Sequence, residues 1–271
     1  GKKVWHLYPS GSKHCMKITL LGTGTSQGVP VLGCQCEVCR SNDSHDKRLR
    51  TSALVEIRKT RILIDCGPDF RQQMLRLPFK KLDAVLLTHI HYDHVAGLDD
   101  LRPFCWVSAV DIFAQQDVVE ALHQTMPYCF PKSGMLYPGA PNLHLHTIVA
   151  HQAFSVGEVS IIPIQVMHGD LPILGFRINR MAYITDMKSM HETEYPLLEG
   201  IELLIINGLR WKRSHHSHQL IGDAIAFSKR FPDIKEIYIT HLTHDAGLHC
   251  NAQQQLPPHV HFGYDGEEII I

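Results

Sequence analysis

The sequence predicts an α/β fold, and three observations support that prediction. Short apolar segments with the length of buried strands alternate along the 271 residues with segments of helical spacing. No repeat, linker or low-complexity segment divides residues 16–271. The third observation is that metal-capable side chains directly follow predicted strands in both halves of the chain: Asp65, His89, His168, Asp186 and His241. We therefore expect residues 16–271 to form a single domain with one site at one rim.

Apolar and β-branched segments predict the strands, and apolar residues at helical spacing predict the helices. A segment dense in proline, glycine and aromatic residues, Pro127–Pro141, is predicted to be a long loop. The predicted strands are Met16–Leu21, Ser52–Ile57, Arg61–Ile64, Ala84–Leu87, Ser160–Val166, Leu174–Ile178, Met181–Thr185, Leu203–Ile206, Glu236–Thr240 and Gly266–Ile271. The predicted helices are Asp69–Leu77, Val95–Leu101, Gln115–Met126 and Gln219–Phe231.

Composition excludes several functional classes. A hydrophobic fraction of 44% and a charged fraction of 20% are ordinary for a soluble globular protein. The net charge of −1 predicts no general attraction to nucleic acid or to an anionic membrane. No apolar segment approaches the roughly 20 residues that span a bilayer. Residues 1–15 are basic but lack the apolar core of a signal peptide, so we treat them as an extension of unknown role.

The segment Leu86–Asp100 contains the densest group of metal-capable side chains. His89, His91, Asp93 and His94 lie within six residues, directly after a predicted strand. Residues two apart on an extended chain point to the same side, so His89 and His91 can bind one ion together. Asp93 and His94 follow a turn and are expected to face a second ion. Imidazole and carboxylate ligands suit zinc, manganese and iron. The alternative is a polar loop that binds no metal, since a chain with 20 histidines in 271 residues sometimes contains a histidine-rich loop.

Three of the eight cysteines, Cys34, Cys36 and Cys39, lie together in the segment Gly33–Arg40. In a chain without a secretion signal this spacing indicates metal binding and not a disulfide framework, and it favours a reducing cytoplasm. The other cysteines are expected to be buried free thiols: Cys15, Cys66, Cys105, Cys129 and Cys250.

The pattern H-x-H-x-D-H, between a predicted strand and a predicted helix, resembles the signature of the metallo-β-lactamase superfamily. The resemblance covers nearly the whole chain from Met16 onward and implies a four-layer αββα sandwich. It also implies that Asp186 bridges two ions and that Asp65 orients a ligand histidine. The first ion would be bound by His89, His91 and His168, and the second by Asp93, His94 and His241.

The cysteine cluster followed by THLTH resembles one branch of the superfamily, which contains the cyclic phosphodiesterase of the carbon–phosphorus lyase pathway. This resemblance implies a closed structural zinc site formed by Cys34, Cys36, Cys39 and His244. It further implies that His218, at the start of the predicted helix Gln219–Phe231, protonates the leaving oxygen. Only 18 positions separate His168 from Asp186, too few for the tRNA-gripping arm of the 3′-processing nucleases.

Two nearby features leave alternatives open. His215 and His216 compete with His218 for the role of proton donor. The basic residues Arg210, Lys212 and Arg213 either steady a phosphate or form a solvated face.

The resulting expectation is a phosphodiesterase with two active-site divalent ions, zinc or manganese, and one structural zinc. A metal-held hydroxide would attack a small, cyclic ribose or nucleotide phosphodiester, with His218, Asp93 and Asp65 in catalytic roles. The alternatives are a protein like those of pyrroloquinoline quinone biosynthesis and a non-enzymatic scaffold held by zinc. Neither a membrane nor a long nucleic acid is expected as partner. The loop Pro127–Pro141 either lines the pocket or forms an oligomer contact, for example in a homodimer.

Overall fold

The structure is a computed structural model that describes residues 15–271, so residues 1–14 of the predicted extension lie outside the described part. The strands in chain order are β1 (Met16–Gly22), β2 (Ser52–Ile57), β3 (Thr60–Ile64), β4 (Ala84–Leu86), β5 (Val110–Ala114), β6 (Leu143–Thr147), β7 (Phe154–Val156), β8 (Val159–His168), β9 (Leu171–Ile178), β10 (Met181–Ile184), β11 (Leu203–Asn207), β12 (Glu236–Thr240), β13 (Val260–Phe262) and β14 (Glu267–Ile270).

The helices are short, and several are single turns. They are α1 (Glu37–Arg40), α2 (Phe70–Met74), α3 (Tyr92–Val95), α4 (Arg102–Cys105), α5 (Gln116–Thr125), α6 (Ile221–Ser228) and α7 (His249–Gln253). Four 3₁₀ helices accompany them, at Ser44–Asp46, Leu98–Leu101, Glu192–Leu198 and His244–Ala246. No helix within residues 15–271 is long and apolar enough to cross a membrane.

The strands form two mixed sheets of seven strands each. The order in the first sheet is β14-β1-β2-β3-β4-β5-β6, and in the second it is β13-β12-β11-β10-β9-β8-β7. Strands β3 to β6 run parallel, and so do β10 to β13, whereas the remaining neighbours are antiparallel. Because parallel strands end at the same edge, the segments after β3 and β4 lie side by side, as do those after β10, β11 and β12.

One apolar core fills the space between the two sheets. Ile64 and Leu86 of the first sheet belong to the same buried cluster as Phe176 and Tyr183 of the second. Leu63, which lies between Ile62 and Ile64, points to the other face of its sheet and is also fully buried. A strand buried on both faces needs a continuous apolar sequence, which explains the segment Ile62–Ile64.

Helices cover the outer face of each sheet. Val118 and Leu122 of α5 belong to the cluster on the outside of the first sheet. Ile221 and Ala224 of α6 belong to the cluster on the outside of the second sheet, together with Leu204. The layers are therefore helix, sheet, sheet and helix, which confirms the predicted αββα sandwich.

Four strands were not predicted: β5, β6, β7 and β13. Strands β7 and β13 have three residues each, too few to show a period. Strand β6 lies at the edge of the first sheet and alternates leucine with exposed histidine, so its apolar content is low. Edge strands and very short strands obtain their pairing from tertiary contacts that a local pattern does not show.

Two predicted helices need correction. No single helix spans Val95–Leu101: helix α3 begins at Tyr92 and so contains Asp93 and His94, and a separate 3₁₀ turn follows Gly97. The predicted helix Gln219–Phe231 begins only at Ile221, because the Asp223 carboxylate accepts a hydrogen bond from the backbone N–H of Leu220 and caps the first turn. His218 therefore lies in the loop before the helix, not at its start.

Candidate active site

The residues predicted to bind metal meet at one end of the sandwich, where strands from both sheets end. Asp65 follows β3, and the segment with His89 follows β4. In the second sheet, Asp186 follows β10 and His241 follows β12, while His168 is the last residue of β8. Asp65, Asp186 and His241 have φ angles of 61°, 55° and 57°. Left-handed backbone is uncommon for such residues and clusters at functional sites.

A close backbone approach holds the two loops of the first sheet together. A Cβ atom on Gly67 would lie 2.1 Å from the carbonyl oxygen of Asp93, so only glycine fits there. The backbone N–H of Cys66 also donates to the carbonyl of His94. The short loop after β3 is thereby packed against helix α3, which carries Asp93 and His94.

One group of donor atoms comes from His89, His91, His168 and Asp186, whose ligand atoms all lie within 4.8 Å of one another. The His89 Nε2 and His91 Nδ1 atoms are 3.0 Å apart. The Asp186 Oδ2 atom lies 3.7 Å from His89 Nε2 and 4.0 Å from His168 Nε2. His168 Nδ1 lies 2.7 Å and 3.0 Å from the carbonyl oxygens of Asp186 and Ser217. Since both are acceptors, Nδ1 carries the proton and Nε2 is free to bind a metal.

The second group comes from Asp93, His94, Asp186 and His241. His94 Nε2 lies 3.1 Å from Asp93 Oδ2 and 3.2 Å from Asp186 Oδ1. His241 Nε2 lies 3.1 Å from Asp186 Oδ1 and 3.6 Å from Asp93 Oδ2. All four side chains are buried.

Asp186 connects the two groups, because its two carboxylate oxygens face different partners. Oδ1 faces His94 and His241, whereas Oδ2 faces His89 and His168. The hydroxyl of Thr185 donates to Oδ1 at 2.8 Å and fixes the orientation of the carboxylate. The structure thus places Asp186 between the donor groups, where the resemblance had placed a bridging ligand.

The donor sets fit divalent ions. Two nitrogen or oxygen ligands on one zinc ion, each about 2.0–2.2 Å from it, are roughly 3–3.5 Å apart, close to most of these separations. The buried atoms His94 Nε2, His241 Nε2 and Asp93 Oδ2 also have no hydrogen-bond partner among residues 15–271. Buried polar atoms rarely remain without a partner unless an ion or a water completes their surroundings.

The protonation states of His89 and Asp186 suit metal ligands. Burial holds the pKa of His89 well below its usual value, so the ring is neutral at pH 7 and can donate a lone pair. Burial alone would raise the pKa of Asp186, but the neighbouring rings of His241 and His94 hold the pKa of this carboxyl well below its usual value. Asp186 is therefore a carboxylate.

Asp65 belongs to neither donor group but fixes His94, which belongs to the second. Its Oδ2 atom lies 2.6 Å from His94 Nδ1, and its two oxygens accept hydrogen bonds of 2.8 Å from the backbone N–H and the hydroxyl of Thr88. This contact leaves His94 Nε2 to face the second donor group. A carboxylate that accepts the outer ring N–H fixes the orientation of a ligand histidine.

His218 lies at the same site, beside the first donor group. Its Nε2 atom is 3.9 Å from Asp186 Oδ2, and its ring centroid is 4.8 Å from those of His168 and His241. His215 and His216, the alternative proton donors, lie farther out: the ring of His215 contacts His218, and His216 stacks on His215. Of the three, only His218 packs against the predicted ligands in these ring contacts.

The cysteine cluster forms a separate site. The sulfur atoms of Cys34, Cys36 and Cys39 lie 3.3, 3.4 and 3.3 Å from His244 Nδ1. A tetrahedral zinc with ordinary Zn–S and Zn–N bonds would separate sulfur from nitrogen by about 3.5 Å, so the four side chains fit such an ion. His244 lies only three residues after His241 but belongs to this second site. The site joins the loop after β1 to the loop after β12.

The remaining cysteines only partly follow the prediction. Cys66 and Cys129 are buried, and Cys15 and Cys105 are half-buried, but Cys250 in α7 is exposed, so the expectation of a buried thiol is wrong there. Cys250 lies in a helix whose buried residue is Ala252, and its side chain points away from that face.

In the basic segment Arg210–His218, the side chains of Arg210 and Arg213 make contacts with other parts of the protein. Arg213 forms an ion pair with Asp245, and Arg210 Nη1 lies 3.9 Å from the same carboxylate. The Arg210 side chain also donates to the carbonyl oxygens of Arg213 and Ser214. These contacts favour a structural surface over a phosphate clamp for the two arginines.

Two residues that support the site were not predicted. Lys188 donates to the carbonyl oxygen of His215 at 2.7 Å and so fixes the loop that carries His218. Asn207, at the end of β11, exchanges hydrogen bonds of 2.9 Å with the backbone N–H and carbonyl of Met187 and fixes the loop after Asp186. The only sequence signal for Asn207 was its position, as a polar residue directly after the predicted apolar strand Leu203–Ile206.

Comparison with known families agrees with the fold and the site. Residues 60–242 match the family model described as a beta-lactamase superfamily domain. The chain belongs to the metallo-β-lactamase superfamily. Within it the chain is a PhnP-like member: a crystal structure of a new diphosphatase from the PhnP family matches with a TM-score of 0.87 and 34% identity, over 95% of this chain and 97% of that one. Fold, family and donor set therefore agree with one another.

Two further relatives differ in their named roles. Zinc-bound PqqB from Methylobacterium extorquens has a TM-score of 0.75 at 19% identity, over 93% of this chain and 99% of that one, which shows a shared fold. An octanoyltransferase from Porphyromonas gingivalis (strain ATCC BAA-308 / W83) is 48% identical over 257 residues, covering 94% of this chain and 52% of that protein. The chain therefore spans about half the length of that relative.

Proposed function

We propose that this chain is a metal-dependent phosphodiesterase that hydrolyses a small phosphodiester, with cyclic ribose or nucleotide phosphates as the substrate class. The observation that carries the proposal is the Asp186 carboxylate, which presents one oxygen to each of two donor groups. Two divalent ions bound there, zinc or manganese, would supply a hydroxide nucleophile at neutral pH and neutralise charge on a phosphoryl oxygen. The likeness to a diphosphatase of the PhnP family supports chemistry at phosphorus.

The residues of the chain have distinct tasks in this proposal. Asp65 holds the ring of His94, and the carbonyl oxygens of Asp186 and Ser217 hold the ring of His168, so both present Nε2 inward. We assign to His218 the transfer of a proton to the departing sugar oxygen, since its ring lies beside both donor groups. Burial lowers the pKa of His218 to about 2, so the free ring is neutral at pH 7 and would take up this proton only when the anionic substrate is bound. Asp93, one of the ligands of the second ion, completes the site.

We also propose a structural zinc bound by Cys34, Cys36, Cys39 and His244. Four protein ligands close such a site, so it contributes to stability and not to the reaction. By joining the loops after β1 and β12 it would fix the backbone from which His241 extends.

A second candidate function follows from the relative named an octanoyltransferase. A site that activates water for attack on phosphorus can also attack an acyl carbonyl, so a medium-chain thioester is a second substrate class. About half of that relative has no counterpart in this chain, and its named activity therefore does not have to belong to the shared half. The phosphodiester remains favoured because the match to the PhnP-family diphosphatase covers both chains almost completely.

The test is a turnover screen on the metal-reconstituted full chain. The substrates are 2′,3′-cyclic nucleotides, cyclic ribose phosphates, linear dinucleotides and an octanoyl thioester, and Asp186→Ala is the control variant. We expect hydrolysis of the cyclic phosphodiesters that disappears in the control. Turnover of the thioester alone would replace the proposal with acyl chemistry. A fully metal-loaded protein that hydrolyses none of the substrates would favour a zinc-held scaffold or the pyrroloquinoline-quinone-like alternative.

A further inference from the structure

Histidine rings extend outward from the metal-binding residues towards solvent. The ring of His218 stacks on that of His241 with centroids 4.8 Å apart and planes 29° apart. The ring of His215 contacts His218 at 5.0 Å, and that of His216 stacks on His215 at 4.4 Å with planes 28° apart. Along this series His218 is buried, His215 is half-buried and His216 is exposed. We call the outer two rings, His215 and His216, the histidine pair.

The histidine pair is held in place by contacts that do not use its outer face. His215 Nδ1 lies 3.2 Å from both the backbone nitrogen and the hydroxyl oxygen of Ser217. Lys188 donates to the carbonyl oxygen of His215 at 2.7 Å. The carbonyl oxygen of Ser217 in turn faces Nδ1 of His168. The loop is thus fixed to the metal-binding residues, and its outermost ring stays open to solvent.

We propose that the histidine pair is a stacking platform for the nucleobase of the substrate, which makes base-bearing cyclic phosphodiesters the preferred class. This inference rests on the proposed phosphodiesterase function. In a 2′,3′-cyclic nucleotide the ribose separates the phosphorus from the base. A substrate with its leaving oxygen at His218 therefore extends its base towards the next ring outward, which is the histidine pair.

The chemistry of the pair suits a base and not a second phosphate. The imidazole planes offer flat faces, and aromatic side chains, histidine included, stack on exposed bases in nucleic-acid recognition. Of the basic residues nearby that would favour a phosphate, Arg210 and Arg213 are directed towards Asp245, and Lys188 donates to the carbonyl oxygen of His215. Stacking tolerates any base, because every base has a π-face. The platform therefore predicts a preference for the presence of a base without strong choice among bases.

The test compares two substrates that share the reacting ring. These are 2′,3′-cyclic AMP and the base-free methyl ribofuranoside 2,3-cyclic phosphate, measured on the metal-loaded full chain. The variants are His216→Ala, which removes the outer ring, and His216→Phe, which keeps a flat face. His259→Ala is the matched control, because His259 is also an exposed histidine. Its carbonyl oxygen accepts a hydrogen bond from Ile237 near the start of β12, whereas His241 follows the other end of that strand.

We expect His216→Ala to lower the ratio of kcat/KM for cyclic AMP to that for the base-free substrate by about 5- to 20-fold, mainly through KM. His216→Phe should restore the ratio, and His259→Ala should leave it at the wild-type value. An unchanged ratio in His216→Ala, or an equal fall for both substrates, would overturn the platform.

A binding measurement separates this inference from the proposed function. Titration calorimetry with adenosine 3′-monophosphate should show a Kd about 5- to 20-fold weaker in His216→Ala than in wild type. If the wild type hydrolyses neither substrate but shows this difference, the phosphodiesterase proposal fails and the platform stands. If the Kd is the same in both proteins, the platform is contradicted whatever the turnover.

Discussion

His94 Nδ1 lies 2.6 Å from the Oδ2 atom of Asp65, and both side chains are completely buried. The contact joins the loop after β3 to helix α3 and directs the opposite nitrogen of His94 towards Asp186. Burial raises the pKa of Asp65 above its usual value, whereas the contact with His94 favours the ionised carboxylate. We therefore expect Asp65, which belongs to neither donor group, to affect how tightly the second group binds a metal.

Asp65→Ala is expected to weaken binding of the active-site ions by about 10- to 100-fold, the usual effect of removing the partner of a ligand histidine. The affinity can be measured by competition with a coloured chelator. The proposed zinc at the cysteine site serves as an internal standard, and Asp117→Ala, on the exposed side of α5, is the control. Unchanged affinity in a folded Asp65→Ala protein would show that His94 does not need this contact.

Cys36→Ser should remove one zinc per chain and lower the thermal stability. Because a closed thiolate site contributes directly to folding, we expect a fall in Tm of roughly 5–15 °C, given about 2–4 °C per kcal/mol for a domain of this size. Calorimetry with metal analysis of the same samples measures both effects. The exposed Cys250 supplies the control Cys250→Ser, which should change neither. A Cys36→Ser protein with wild-type zinc content and Tm would exclude the structural site.

His241 and His244 are three residues apart but belong to different donor groups. His241→Ala is therefore expected to abolish turnover, by at least about 100-fold, with a small effect on Tm. His244→Ala should lower Tm and affect the rate mildly, because it loses the ligand of the closed site. Turnover and Tm of the two variants, measured side by side, form the test, and the reverse pattern would mean that the two histidines had been assigned to the wrong ions.

His218→Ala should slow hydrolysis of ribose cyclic phosphates by about 10²–10⁴-fold, since general-acid assistance matters most for a poor leaving group. Hydrolysis of bis-p-nitrophenyl phosphate should change little, because p-nitrophenolate leaves as an anion without a proton. Both substrates are followed on protein with confirmed metal content. Equal slowing of both would assign His218 to holding the site together, and full activity on both would pass the role of proton donor to His216.

The sequence predicted the centre of the site better than its surroundings, for physical reasons. His89, His91, Asp93 and His94 lie in one short segment, so spacing alone brings their donor atoms together. Likewise, buried strands such as β3 and β11 carry a continuous apolar signal.

Other features depend on contacts between distant residues, which local patterns do not record. Lys188 reaches the carbonyl of His215, 27 positions away, and nothing in its neighbourhood indicates that contact. Strand β6 alternates leucine with histidine at the edge of a sheet and is defined by pairing with β5. The histidines of the segment Arg210–His218 were visible as residues, but the order of their rings from the interior to solvent appeared only in the structure.

The most direct test of the proposed dinuclear site is the number of metal ions per chain in Asp186→Ala, with turnover of a 2′,3′-cyclic nucleotide measured on the same sample. We predict three ions in the reconstituted wild-type protein. In Asp186→Ala we predict one, the zinc of the cysteine site, and no turnover, because each active-site group loses the carboxylate that it shares with the other. A folded Asp186→Ala protein that keeps three ions, or that hydrolyses the substrate at the wild-type rate, would contradict the account.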